Sequence, residues 1–159
     1  MILEQDIRSA IWELMKTKWP EGKDKKKEYR YYMRDVKEGY VQPCFFILVD
    51  LEDESPGSVA TVLKRYKVSI QYYEENHMEK HTVKILNGLR EMFLYKRALR
   101  LHVKDRWLEV RHLSYDYVGS RMDIPEITFE LEFFDSYATP QTGSAMEDIH
   151  IKETVKASN

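Results

Sequence analysis

Gly39-Tyr40-Val41-Gln42-Pro43-Cys44-Phe45-Phe46-Ile47-Leu48-Val49-Asp50 is the stretch whose reading decides the fold. Six apolar residues run unbroken from Cys44 to Val49, and five of the six are aromatic, β-branched or Cys. That mixture suits a pleated strand better than a helix. Pro43 fixes its own φ and pushes Gln42 toward an extended conformation, while Gly39 supplies a turn in front. The run predicts a central strand with apolar side chains on both faces.

Working outward, residues 2–18 carry Leu3, Ile7, Ile11, Leu14 and Met15 at helical spacing with charges between them, and Pro20 stops that helix. The lysine-rich stretch 21–27 reads as a solvated loop, and Tyr29 to Met33 as a short strand with Tyr29, Tyr31 and Met33 on one face. Glu52-Asp53-Glu54-Ser55-Pro56-Gly57 reads as a polar turn. Residues 61–73 alternate, Tyr66, Val68, Ile70 and Tyr72 against Arg65, Lys67, Ser69 and Gln71, which predicts a half-buried antiparallel strand joined to the central strand by a long connection.

A second amphipathic helix spans 77–93, with Asn76 as N-cap and Gly88 where the helix packs closely. Ala98–Val103, Arg106–Tyr117 and Glu126–Phe134 read as three further strands, the first two joined by a tight turn at Lys104-Asp105. If the last strand is an edge, the two acids on its outer face would keep it from pairing promiscuously. The expected fold is α+β: a mainly antiparallel sheet of about five to six strands with two helices packed on one face, in α-β-β-β-α-β-β-β order. Residues 1–137 make the domain; 138–159 make a linker and C-terminal tail, with Ile149–Lys152 a late strand folded back or exchanged with a neighbour.

Composition narrows the function. A net charge of -2 sets the chain apart from dedicated nucleic-acid-binding domains, which are clearly basic. Cys44 is the sole cysteine, which rules out an intramolecular disulfide. No stretch is apolar enough to span a bilayer, and none resembles a signal peptide. Eleven Tyr alongside 33% charged residues point to surfaces that meet partners. The six glycines are too dispersed for a phosphate loop. His77 and His81 stand four apart, but Met78 replaces the Glu that a metalloprotease helix places after its first His, and no third ligand is evident. Asp50, Glu52, Asp53 and Glu54 are hard-oxygen donors, yet read as solvated charge. Cys44, inside its apolar run, reads as a small buried hydrophobe. No catalytic constellation, metal site or cofactor site is expected.

Leu3 to Leu14, then Lys37-Glu38-Gly39-Tyr40-Val41-Gln42-Pro43-Cys44-Phe45-Phe46, with Tyr66–Tyr73, the helix at 77–93 and an ending with Met146-Glu147 and Ile149–Val155, resemble the tail terminator (tail completion) family. That family occurs in Gram-positive phages and in prophage-derived contractile tails or R-type bacteriocins. Gly39, Pro43, Cys44, Phe45 and Phe46 are the identifying core strand.

The resemblance implies a structural protein, not an enzyme, assembled in the bacterial cytoplasm into a phage or phage-tail-like particle. It implies a homo-oligomeric ring, hexameric in the family, that caps a tail tube, stops polymerisation and presents a surface to head or collar proteins. Partners would be further copies, the tail tube protein and, in contractile tails, the sheath protein, with no membrane and no sequence-specific nucleic acid. Ring closure needs two different complementary surfaces. The candidates are Lys25, Lys26, Lys27, Lys64, Arg65 and Lys67 on the basic side and Glu52, Asp53 and Glu54 on the acidic side. Two alternatives remain: another neck component (a head–tail stopper or connector adaptor), or a metal-dependent phosphodiesterase built on the acidic loop.

Overall fold

A computed structural model describes residues 1–22, 29–33, 39–75 and 79–136. The elements are α1 (Glu4–Lys16), β1 (Arg30–Tyr32), β2 (Cys44–Pro56), β3 (Thr61–Tyr73), α2 (Glu79–Met92), β4 (Leu94–Tyr95), β5 (Ala98–Val103), β6 (Arg106–Val118) and β7 (Ile124–Ser136). The strands form one sheet in the order β1-β2-β3-β7-β6-β5-β4.

The α+β class holds, but the sheet differs from the expected five to six mainly antiparallel strands. It has seven strands and is mixed, because β1 runs parallel to β2, pairing Arg30 with Cys44 and Tyr32 with Phe46. The unexpected strand is β4, which hairpins onto β5 through Lys96 and Arg97, both at positive φ (47° and 66°). Left-handed two-residue hairpin turns are signalled in sequence by Asn-Gly or Asp-Gly. Lys-Arg carries no such signal.

β2 is not the central strand. Its outer edge meets β1 only at residues 44–46, and the centre of the sheet is β7, flanked by β3 and β6. β2 also runs straight through the expected polar turn to Pro56, so the link to β3 is the short Gly57–Ala60 and not a long connection. The acids of 52–54 are compatible with a strand because cross-strand basic residues face them: Asp53 stands opposite Arg65 and Glu54 opposite Lys64.

Both helices cover the same face. Ile7, Ile11 and Met15 of α1 and Ile85 and Leu89 of α2 share one core with Phe45, Ile47 and Val49 of β2, Tyr66 to Tyr72 of β3 and Ile127 to Phe133 of β7. The alternation read in residues 61–73 puts those side chains inward as expected. Leu3 departs from its predicted stripe: it is exposed and acts as N-cap, its N–H donating to the Asp6 carboxylate at 2.8 Å, while Ile2 takes the buried place. Met33, expected to share a face with Tyr29 and Tyr31, is exposed.

Gly88 sits where predicted, against another element. A Cβ there would lie 2.9 Å from the Trp19 ring, which itself packs on Phe45 with ring centres 5.3 Å apart.

Strand lengths decide what stays uncovered. β2, β3, β6 and β7 are 13 residues each, about 43 Å at ~3.3 Å per residue. α1 has 13 residues and spans only about 20 Å at ~1.5 Å per residue. The opposite face of the sheet carries no helix among the described residues.

Candidate interaction surfaces

The open face is built by the second parity of the long strands. Leu48, Asp50 and Asp53 of β2, Arg65, Lys67, Ser69 and Gln71 of β3, and Glu126, Thr128, Glu130 and Glu132 of β7 lie in rows fixed by the ladder register. Much of this face is bonded within itself. Arg65 donates through Nε and Nη2 to Glu132 Oε2 at 3.1 and 2.7 Å, and Arg111 Nη1 donates to Glu132 Oε1 at 2.9 Å. Hydrogen bonding from Arg65 holds the Glu132 carboxyl below its ordinary value. Ser69 and Gln71 both donate to Glu126, and His112 bonds Glu130 at 2.9 Å. The acids of β7 thus sit mid-sheet and do not blunt an edge.

One corner of this face is aromatic. Phe46 is packed by Tyr32, Tyr40 and Tyr73 at ring separations of 5.4, 5.5 and 5.0 Å. This explains the apolar second face of β2: edge aromatics cover it where a second layer would otherwise be needed. Cys44 is fully buried, and burial pushes its thiol up to about 12, so it is an inert core group.

The residues expected to carry opposite charge between subunits are neighbours within one hairpin. Glu52, Asp53 and Glu54 are exposed on the outer half of β2, but the pleat splays them. Asp53 lies on the open face with Arg65, and Glu54 on the helix side with Lys64. Glu52 is the extra residue of a bulge between Leu51 and Asp53. A strand cannot converge such carboxylates on one ion, and among the described residues no group of three His, Cys, Asp or Glu could hold a metal.

Lys67 is exposed on the open face. Lys64 is no surface residue: 4% exposed, its ammonium donates to the Ile2 carbonyl at 3.3 Å and lies 3.5 Å from Asp135. Asp135 is 1% exposed. Burial pushes its carboxyl up, but the Ile2 N–H at 2.7 Å, the N-terminal ammonium and Lys64 outweigh this and hold it below its ordinary value. Lys64 and Asp135 therefore pin residue 2 to the sheet. Lys25, Lys26, Lys27, Asn76, His77 and the 138–159 tail lie outside the described residues. His81 is half-buried and bonds Glu74 at 2.8 Å.

The sequence reading missed two surfaces. The first is a pair of strand edges. Among the described residues, the ladder of β1 on β2 covers only residues 44–46, and that of β5 on β6 only residues 106–109. Edges are set by strand order, which a linear pattern does not encode. The second is a cavity of about 240 Å³ between α1 and β1, lined by Arg8, Trp12, Tyr31, Tyr32, Met33 and Ile47. Arg8 Nε and Trp12 Nε1 are buried there with no hydrogen-bond partner among the described residues.

No helix among the described residues is long and apolar enough to cross a membrane. A family model described as phage tail terminator protein matches residues 6–143. No curated protein matches the chain. One solved structure, bearing no descriptive name, is similar over 88% of this chain and 100% of its own, at 13% identity and a TM-score of 0.46, a likeness too distant to bear on function.

Proposed function

The chain belongs to the phage tail terminator family, and from that premise we propose that its copies close into a ring, six-fold as in the family, on the end of a tail tube. Its role is structural, in tail assembly, and its partners are other tail proteins of the virion. In the proposed ring, the capped tube stops growing, and the sheath stops with it where the tail is contractile. The free side of the ring then receives the head or collar. The bacterial cytoplasm is the proposed place of assembly, before the protein becomes part of the particle. Residues 1–137 would form the rigid ring unit, and 138–159 a strand or tail exchanged with a neighbour or partner.

The observation that carries this reading is the family match across residues 6–143. The architecture supports it: a seven-stranded sheet with two different sides, β1–β2 and β5–β4, suits head-to-tail, self-closing association better than a two-fold dimer.

Electron microscopy of the purified protein, alone and mixed with tail tubes, tests it. Rings seated on tube ends, with tube length no longer increasing, are expected. A protein that stays monomeric in both conditions overturns the ring. Density at the head-proximal neck, away from the tube end, would instead identify a stopper or connector adaptor.

A further inference from the structure

We propose that the tail of this chain has a seat on its own body: residues 149–152 dock as an added antiparallel strand on the outer edge of β5, in a groove between α1 and Trp107. The docking goes beyond the ring reading and does not depend on it.

The groove has a volume of about 310 Å³ and lies between Leu14 of α1 and Trp107 of β6. Arg100, Leu101 and His102 of β5 all line it. Successive side chains of a strand point to opposite faces, so a cavity that touches three in a row runs along the strand's edge and not over one face. Its mouth is aromatic and open. Trp107 stacks on Tyr95 with ring centres 4.2 Å apart and is still 45% exposed, and Leu94 is 59% exposed. Rigid aromatic surface of this kind beside a groove is what a docked segment covers.

The backbone of β5 is aimed into this groove. Among the described residues, β4 pairs with β5 only at Ala98 and Leu99. On the same outer side, the Arg100 N–H donates to the Phe93 carbonyl at 2.7 Å. Residues two apart on an antiparallel strand direct their N–H and C=O groups the same way, so those of His102 point outward as well, past the end of β4. An extended segment laid there continues the ladder, the usual way a sheet edge takes a peptide.

The tail starts close by. The described chain ends at Ser136, and Arg106 lies beside that end, its Nη1 donating to the Phe134 carbonyl at 3.1 Å. Arg106 in turn pairs with Val103, the last residue of β5. β7, β6 and β5 lie side by side, so a strand outside β5 stands about 14 Å from β7, three spacings of ~4.8 Å. Residues 137–148 reach roughly 20 Å as a coil and ~40 Å at full extension. A tether whose reach matches the span gives a local concentration on the order of millimolar, which a separate molecule in dilute solution does not match.

The sequence of the tail suits the edge. Ile149-His150-Ile151-Lys152 alternates apolar with polar. An antiparallel strand entering at the Val103 end sets Ile149 against Val103, His150 against His102 and Ile151 against Leu101. Leu101 and Val103 belong to the helix-side core, whereas Arg100 and His102 are exposed. Both isoleucines then join the core side of the edge, and His150 and Lys152 stay in solvent. A shift of one residue would reverse this. A tail exchanged with a neighbour in a ring would use the same seat, because a swapped element repeats between copies the contacts it makes within one.

The test uses full-length chains at low concentration, with the buried Cys44 retained. Under mild oxidation, His102→Cys combined with His150→Cys should form a disulfide within one chain about tenfold faster or more than His102→Cys combined with Ser158→Cys, which has a similar tether but no place in the register. Mass spectrometry of non-reduced peptides reads the bond, and circular dichroism confirms that each variant is folded. Equal rates for the two pairs overturn the docking, and so does a disulfide found only between chains. A second measurement needs no bond. Maleimide should label His102→Cys alone about tenfold faster or more once Ile149→Ser and Ile151→Ser are added. Unchanged labelling would mean that the groove takes another occupant, a second copy or another tail protein, and overturns the proposal. Each of these outcomes leaves the ring reading standing, since electron microscopy tests that separately.

Discussion

The two halves of β2 are one continuous strand with opposite fates. Cys44 to Val49 is largely buried, Phe45 under Trp19, Tyr31 and Tyr72 on the helix side and Phe46 under three tyrosines on the other. Leu51 to Glu54 is exposed throughout, four consecutive residues on an outer edge. The backbone is extended in both halves. What differs is cover: β1 and Trp19 pack on the first half, whereas β1 pairs no further than Phe46 and Leu51 to Glu54 lie exposed beyond it. The half that builds the core thus reads as a strand in sequence, and the exposed half looks, in sequence, like a turn.

The strongest way to break this contrast is to put a charge into the covered half. Phe46→Asp buries an unpaired carboxylate at a cost of several kcal/mol, comparable to the ~5–15 kcal/mol that holds a typical domain together, so the protein should not fold. A soluble Phe46→Asp protein with a cooperative thermal transition would show that the aromatic corner is looser than described.

The next effect probes the exception beside the exposed half, where Glu54 faces the buried Lys64. Asp135→Ala strands the Lys64 ammonium and should cost about 3–5 kcal/mol in urea unfolding. The Asp135 and Asp6 carboxyls are both held below their ordinary values in the fold, Asp6 chiefly by hydrogen bonds from Lys104 and Leu3. A depressed carboxyl stabilises the protein above its unfolded pKa, about 4, and this contribution disappears as pH falls through the folded value. Stability should therefore fall below about pH 4, and Asp135→Asn should flatten that slope. An unchanged acid profile would dismiss Asp135 as its source.

Gly88→Ala sharpens the contrast from the helix side. Alanine favours the helix by about 1 kcal/mol, but its Cβ would sit 2.9 Å from the Trp19 ring that covers Phe45. Moving a buried indole costs roughly 1–3 kcal/mol, so net destabilisation of about 0–2 kcal/mol is expected in chemical denaturation. A more stable variant would mean Trp19 yields freely.

The smallest effect on folding belongs to the exposed half. Glu52→Lys should change stability by no more than about 0.5 kcal/mol, because the bulged side chain meets solvent. If this edge meets a partner, the same change should weaken self-association in sedimentation. A large loss of stability with intact assembly would invert the assignment of the two halves.

Sequence patterns revealed most of the elements and little of the surface. The buried parity of β3, the α2 stripe and the close approach at Gly88 were all legible, because period and residue size report directly on burial. The 52–57 stretch was misread because its residues favour turns, and only Arg65 and Lys64 across the ladder make it a strand. β4 was missed because Lys96 and Arg97 adopt left-handed backbone without the residues that announce it. Lys64, taken as part of a surface patch, is buried because Asp135, 71 residues away, supplies its counter-charge.

By itself, then, the sequence determined the class, the helices and the inward side of the longest strands, since these depend on local chemistry and spacing, and its resemblance to the family. Only the tertiary structure decided that β2 is an edge, that β7 is the centre and that acids and bases thought to join separate molecules lie side by side. Strand order is fixed by contacts between residues far apart in the chain, and those contacts determine which backbone groups are left for a partner.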